Sequence, residues 1–135
     1  MKTKPKNTGS VFILVVFMIA FLSALVMGIA QINTEEIQLM RNHINSAKAL
    51  AIAEAGLNDA FAEIRADSSW TGPITDEPFA GGSYDVSVEA AAPDPNIVAT
   101  GTSPEGFVAR VKAEITVGTT GPPYVIRVDK MRINE

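Results

Sequence analysis

The sequence predicts an α+β fold: one long N-terminal helix, transmembrane and then amphipathic, packed on a small antiparallel sheet of three to four strands. Three observations predict it. Val11 to Ala30 is a run of twenty residues without a charge. Ile32 to Ala66 contains no proline and repeats apolar residues at spacings of three and four. Beyond residue 82 the pattern changes to strict alternation broken by turn residues. The chain therefore divides into a basic leader (1–9), an apolar half-helix (10–32), an amphipathic half-helix (33–67), a linker (68–82), a β domain (83–129) and a loose tail (130–135).

The apolar run comes first. At about 1.5 Å per residue it spans roughly 30 Å, the thickness of a hydrocarbon core. Only Ser23 and Gly28 interrupt it, and spanning helices tolerate both. Lys2, Lys4 and Lys6 precede it and Glu35 and Glu36 follow it. The positive-inside rule then keeps the N-terminus in the cytoplasm and exports the rest. A buried core helix is the competing reading, but the remaining chain is too small to surround one. A cleaved secretory signal is another. Gly28-Ile29-Ala30 has the small-x-small form of its cleavage site, but the run exceeds the usual apolar stretch of about 7–15 residues.

The helix does not stop at the membrane. Ala47, Ala49, Ala51, Ala53, Ala55, Ala60 and Ala62, with Glu, Gln, Leu and Lys between them, suit a helix. Ile37, Met40, Ile44, Ala47, Leu50, Ala53, Leu57, Phe61 and Ile64 form one apolar stripe. Leu50, Leu57, Phe61 and Ile64 are the candidates for packing on the sheet. Asp67-Ser-Ser-Trp-Thr-Gly-Pro73 ends the helix. Residues from about Ser10 to Ala66 thus read as one helix of roughly 85 Å. A coiled-coil seam is less well supported, because the stripe is rich in alanine and drifts from strict heptads.

In the C-terminal part, Tyr84, Val86 and Val88 alternate with polar residues, as a half-buried strand does. Phe107, Ala109, Val111, Ala113, Ile115 and Val117 make the clearest strand, and Ile97 to Thr100 a shorter one between the two. Tyr124 to Val128 is a candidate fourth. Pro93-Asp-Pro95, Ser103-Pro-Glu-Gly106 and Gly121-Pro-Pro123 supply the turns. The apolar face of this meander is the surface for the helix to cover.

Composition narrows the function. The formal charge is −4, and three of the eleven cations lie in the leader, so the chain beyond it is more acidic still. That argues against nucleic acid as a partner. There is no cysteine, hence no disulfide and no cysteine-based zinc site. His43 is the only histidine and reads as a surface residue. Glu35 and Glu36 read as solvating charges at the interface. Asp76, Asp85 and Asp94 lack the close spacing of a calcium loop. Trp70 reads as a packing anchor, and Gly81-Gly82 as the start of a strand without phosphate-loop form. No serine, threonine or lysine has a recognisable activating partner. No catalytic residue, cofactor or metal is expected.

A short basic leader, a glycine, about twenty apolar residues, a continuing amphipathic helix and a small antiparallel sheet together resemble the type IV pilin and pseudopilin superfamily. The stretch Ser46-Ala-Lys-Ala-Leu-Ala-Ile-Ala-Glu-Ala-Gly-Leu-Asn-Asp-Ala60 is similar to that of PilX-like minor pilins and of K-type pseudopilins of type II secretion. Trp70, Gly81-Gly82-Ser-Tyr-Asp-Val-Ser-Val88 and Ala99-Thr-Gly-Thr102 fit the same group. The resemblance implies prepilin peptidase cleavage between Gly9 and Ser10, with N-methylation of Ser10. It implies that Val11, Phe12, Ile13, Leu14, Val15, Val16, Phe17 and Met18 pass from the lipid bilayer into a filament core. The implied partners are other pilin or pseudopilin subunits, the peptidase and an inner-membrane assembly platform. Most major pilins carry glutamate as the fifth mature residue, where this chain has Leu14. That argues against a major-subunit role, and the resemblance implies a minor pilin or pseudopilin incorporated in, or priming at the tip of, a type IV pilus or type II secretion pseudopilus. The alternative is a non-polymerising, single-pass membrane-anchored exported binding domain.

Overall fold

The computed structural model describes residues 8–134. Lys2, Lys4 and Lys6, on which the predicted orientation rests, lie outside the described residues. Helix α1 runs unbroken from Thr8 to Ala66, and five strands follow: β1 (Ile74–Phe79), β2 (Gly82–Val88), β3 (Asn96–Thr102), β4 (Val108–Val117) and β5 (Ile126–Ile133). The chain divides into two units, one ending at Arg41 and the other beginning at Asn42.

In the first unit the helix is long and apolar enough to cross a membrane, and none of its most apolar window is buried within the chain. Ser23 Oγ–H donates to the Ile19 carbonyl at 2.8 Å, four residues back, so its hydroxyl adds no unmet donor to the apolar segment. Such a helix is compatible with membrane anchoring.

In the second unit the strands form one antiparallel sheet in chain order, β1-β2-β3-β4-β5. Every connection is therefore a hairpin between neighbours. Ala80 and Gly81 join β1 to β2 with φ of 51° and 84°, the two left-handed residues of a tight hairpin turn. Ser103 closes the β3–β4 turn: its N–H donates to Phe107 O (2.8 Å), and its Oγ accepts from Phe107 N–H (3.1 Å). The β4–β5 register slips by a bulge between Glu114 and Ile115.

One face of the sheet carries the core. Tyr84 and Val86 of β2, Ile97 and Ala99 of β3, and Val111, Ala113, Ile115 and Val117 of β4 are buried together with Ile52, Ala53, Leu57, Ala60 and Ile64 of α1. The period of two in the strands and of three or four in the helix thus meet in a single core. Asp67 N–H donates to the Glu63 carbonyl at 2.8 Å, and Tyr124 N–H reaches across from the β4–β5 connection to the Arg65 carbonyl at 3.0 Å. These bonds satisfy carbonyls that a helix end leaves open. Asp67 also accepts from the N–H and Oγ–H of Ser69; these bonds hold its carboxyl below the usual range.

The sheet differs from the expectation in three places. It has five strands rather than three or four. Residues 74–79, within the stretch expected to be a linker, form β1. Their sequence, Ile-Thr-Asp-Glu-Pro-Phe, has neither apolar alternation nor β-branched density, and five of the six side chains are exposed. Pairing with β2, not burial, makes it a strand. Residues 130–133, expected to be a loose tail, complete β5 by pairing with Val111 to Glu114 of β4. A run with two basic residues looks solvated in sequence, although a sheet edge accepts such residues readily.

Candidate functional site

Two surfaces carry the residues singled out by sequence. The first is the apolar segment of α1. Gly9 and Ser10 lie in the first turn of the helix, both exposed. Val11, Phe12, Ile13, Leu14, Val15, Val16, Phe17 and Met18 follow, all exposed, from 46% at Val15 to 71% at Phe17. Leu14 is 60% exposed. A helix this apolar on every side needs an apolar surrounding that the described chain does not supply.

The second surface is the helix–sheet seam. Leu57 and Ile64 are buried in it, whereas Leu50 and Phe61 are half-buried at its margin. Trp70 likewise packs against this core. Ile37, Met40 and Ile44, which extend the predicted stripe upstream, are exposed. The seam itself runs along Ala49, Ile52, Ala53, Gly56, Leu57, Ala60 and Ile64, rotated by about one residue from the stripe read in sequence. Seven alanines distributed around the helix blur the apolar face, so only the bulky residues stand out to a pattern search. Small residues are the ones that decide where the backbone comes closest.

At Gly101 of β3 the helix backbone takes the space a side chain would use. A Cβ there would lie 2.3 Å from Ala53 N and 2.4 Å from Ala49 O. At Gly56 of α1 a Cβ would lie 2.6 Å from Cδ2 of the Tyr84 ring. Helix and strand therefore meet through two glycines, a contact for which sequence gave no periodic signal. Dipeptides such as Ala55-Gly56 and Thr100-Gly101 are the only trace of it.

Beside Gly56, Tyr84 O–H donates to a carboxylate oxygen of Asp59. Burial, reinforced by this hydrogen bond, pushes the Tyr84 phenol up to about 12. The native state thus favours protonated Tyr84 more than the unfolded chain does. The sign follows: its contribution is complete below about pH 10, the ordinary phenol value, and is lost as pH rises through about 12. Tyr84→Phe is expected to cost about 1 kcal/mol at neutral pH. It also removes part of the alkaline loss of stability, so its melting curve converges on that of the parent chain between pH 10 and 11.5. Thermal melts across that range check it; two curves that stay parallel would contradict the assignment.

Among the described residues, no group of three or more His, Asp or Glu side chains is placed to hold a metal ion. His43, Glu35, Glu36, Asp76, Asp85 and Asp94 are all exposed. Asp85 accepts a hydrogen bond from Asp76 N–H at 3.0 Å, and Asp94 one from Thr116 Oγ–H at 3.2 Å. Lys48 Nζ pairs with Glu105 at 3.0 Å, joining the helix to the β3–β4 turn. The concavities beside the helix and at the strand ends hold no converging acid, base and nucleophile. No family model, curated protein or solved structure matches this chain.

Proposed function

We propose that this chain is a structural minor pilin or pseudopilin subunit. One observation carries the reading: a single unbroken helix whose first part is apolar and exposed on all sides, and whose last turns are one wall of a small β domain. The basic leader, Gly9 and the Ala-Glu-Ala-Gly stretch at residues 53–56 support it. In this reading a prepilin peptidase cleaves between Gly9 and Ser10 on the cytoplasmic side of a bacterial inner membrane. The β domain lies on the far side. An assembly platform then moves the subunit into a pilus or a type II secretion pseudopilus.

The physical economy of the step lies in the helix. Its apolar segment has two solvents available, lipid tails or the equivalent segments of other subunits. A helix satisfies its own backbone hydrogen bonds in both. Extraction therefore needs no refolding, and head-to-tail repetition of the contact builds an open filament. The work of extraction comes from the assembly machinery. Leu14 in place of a glutamate leaves no carboxylate to neutralise the amine of a neighbouring subunit inside the apolar core. This suits a subunit that initiates or tips the filament better than one that repeats along the shaft.

A photocrosslinking residue in place of Phe17 tests the assembly step in native cells. The expected adducts join this chain to other proteins that carry N-terminal apolar helices. Adducts with lipid alone would contradict the filament role and leave a tethered domain.

A further inference from the structure

The apolar stripe read along α1 from Ile37 to Ile64 joins two faces of the helix. Ile37, Met40, Ile44 and Ala47 follow one another at steps of three, four and three, and Ala51 continues that repeat. Leu50, Ala53, Leu57, Phe61 and Ile64 instead belong to the seam with the sheet or border it. At about 100° per residue, Ile44, Ala47 and Ala51 lie on the side of the helix opposite Ala49, Ala53 and Ala60. The first three are exposed and the last three are buried. The sheet therefore leaves the Ile44 face free.

Taken alone, that face is a heptad repeat. Ile37 and Ile44 occupy its first apolar position, Met40 and Ala47 its second, and Ala30 and Asn33 precede them in the same phase. β-Branched residues at the first position suit a parallel two-stranded pair. Ile37 is 54% exposed, Met40 64% and Ile44 51%. Between residues 35 and 48 the one other bulky apolar side chain is Leu39, and the charged and amide side chains flank the face or lie off it.

The flanking charges fit a copy of the same helix. In a parallel pair, the position just before a first apolar position faces the position four after it on the partner helix. Around Ile37 these are Glu36 and Arg41. Within one chain they are not the three- or four-residue neighbours that pair on a helix surface. Among the described residues neither forms an ion pair. Two parallel copies match both charges, once on each side of the pair. The next such positions, His43 and Lys48, add no attraction, and Lys48 is already matched by Glu105 at 3.0 Å. Asn33 would meet its own equivalent, and an amide both donates to and accepts from another amide.

We propose that α1 pairs in parallel and in register with α1 of a second copy of this chain, through Asn33, Ile37, Met40 and Ile44, with Glu36 of each copy against Arg41 of the other. Copies anchored by the same apolar segment insert in the same sense, so an antiparallel pair does not arise. Two heptads are too few to hold free helices together in water. Confinement of both copies to one bilayer raises their effective concentration and makes so short a seam sufficient. The inference concerns the chain in the membrane and stands for a filament subunit and a tethered domain alike.

The test uses the purified full chain in liposomes at a low protein-to-lipid ratio. The chain has no cysteine, so each single-cysteine variant reports one position. After mild oxidation, the yield of disulfide-linked dimer is expected to peak at Ile37→Cys, Met40→Cys and Ile44→Cys, about threefold or more above Leu39→Cys and Asn42→Cys. In the Ile44→Cys chain, adding Glu36→Arg should lower the yield by about threefold or more, and adding Arg41→Glu as well should restore it. These charges are on the exposed helix surface, so the β domain folds in every variant. No dimer, a flat profile, a maximum at Leu39→Cys, an unchanged yield with Glu36→Arg, or a loss that Arg41→Glu does not rescue would each overturn the proposal.

Discussion

Gly101→Val is expected to cost the β domain about 3 kcal/mol or more, enough to lower its melting temperature by about 12 °C or more. The reason is the identity of the obstacles. A Cβ at residue 101 meets Ala53 N at 2.3 Å and Ala49 O at 2.4 Å. These are helix backbone atoms, and they move only if α1 lifts away from β3. Lifting it exposes Ile52, Leu57 and Ile64, which are among the bulkiest buried side chains of the seam. Thr100→Val, one residue earlier on the opposite face, should shift the melt by no more than about 4 °C. Gly56→Ala lies between these cases. It gains about 1 kcal/mol of helix propensity but meets the Tyr84 ring, which can tilt. A Gly101→Val chain that melts within a few degrees of the parent would contradict the close helix–strand approach.

The second large effect concerns the membrane. Leu22→Arg combined with Leu25→Arg is expected to abolish stable insertion. The thirteen Leu, Ile, Phe and Val residues between Val11 and Ala30 each favour insertion by about 0.3–0.6 kcal/mol near the bilayer centre. Two central arginines cost about 2.5–3.5 kcal/mol each on the same scale and also remove two leucines. The balance falls to about zero. The doubly substituted chain should then be released from membranes by alkaline carbonate, whereas the parent chain stays with the pellet. Retention of the double variant in the pellet would mean that something other than the apolar segment anchors the protein.

These two tests address the parts of the molecule that differed most in how legible they were. The helix could be read almost to the residue, from Ser10 in sequence against Thr8 in the structure, because twenty uncharged residues and an alanine-rich continuation leave few alternatives. β2, β3 and β4 could be read because each buries one face, which imposes a period of two. β1 and the end of β5 could not, because they are edges: their order comes from main-chain pairing, which leaves no mark on side-chain polarity. The apolar stripe in the sequence finds only part of the seam: Leu50 and Phe61 lie half-buried at its margin, and Ile52, buried in its centre, is not on that stripe. Leu57 and Ile64 are buried as expected, but Ala49, Ala53, Gly56 and Gly101 set the distance. A glycine that permits close approach looks, in sequence, like any other glycine.

In the filament reading this chain is made as a precursor and then matured into a subunit. The intact mass of the protein extracted from the membranes of its native host decides whether that maturation takes place. The expected result is the loss of residues 1–9, with or without one added methyl group on Ser10. A full-length mass would contradict it and leave a tethered exported domain. A loss extending to Ala30 would contradict it differently, by turning the apolar segment into a secretory signal.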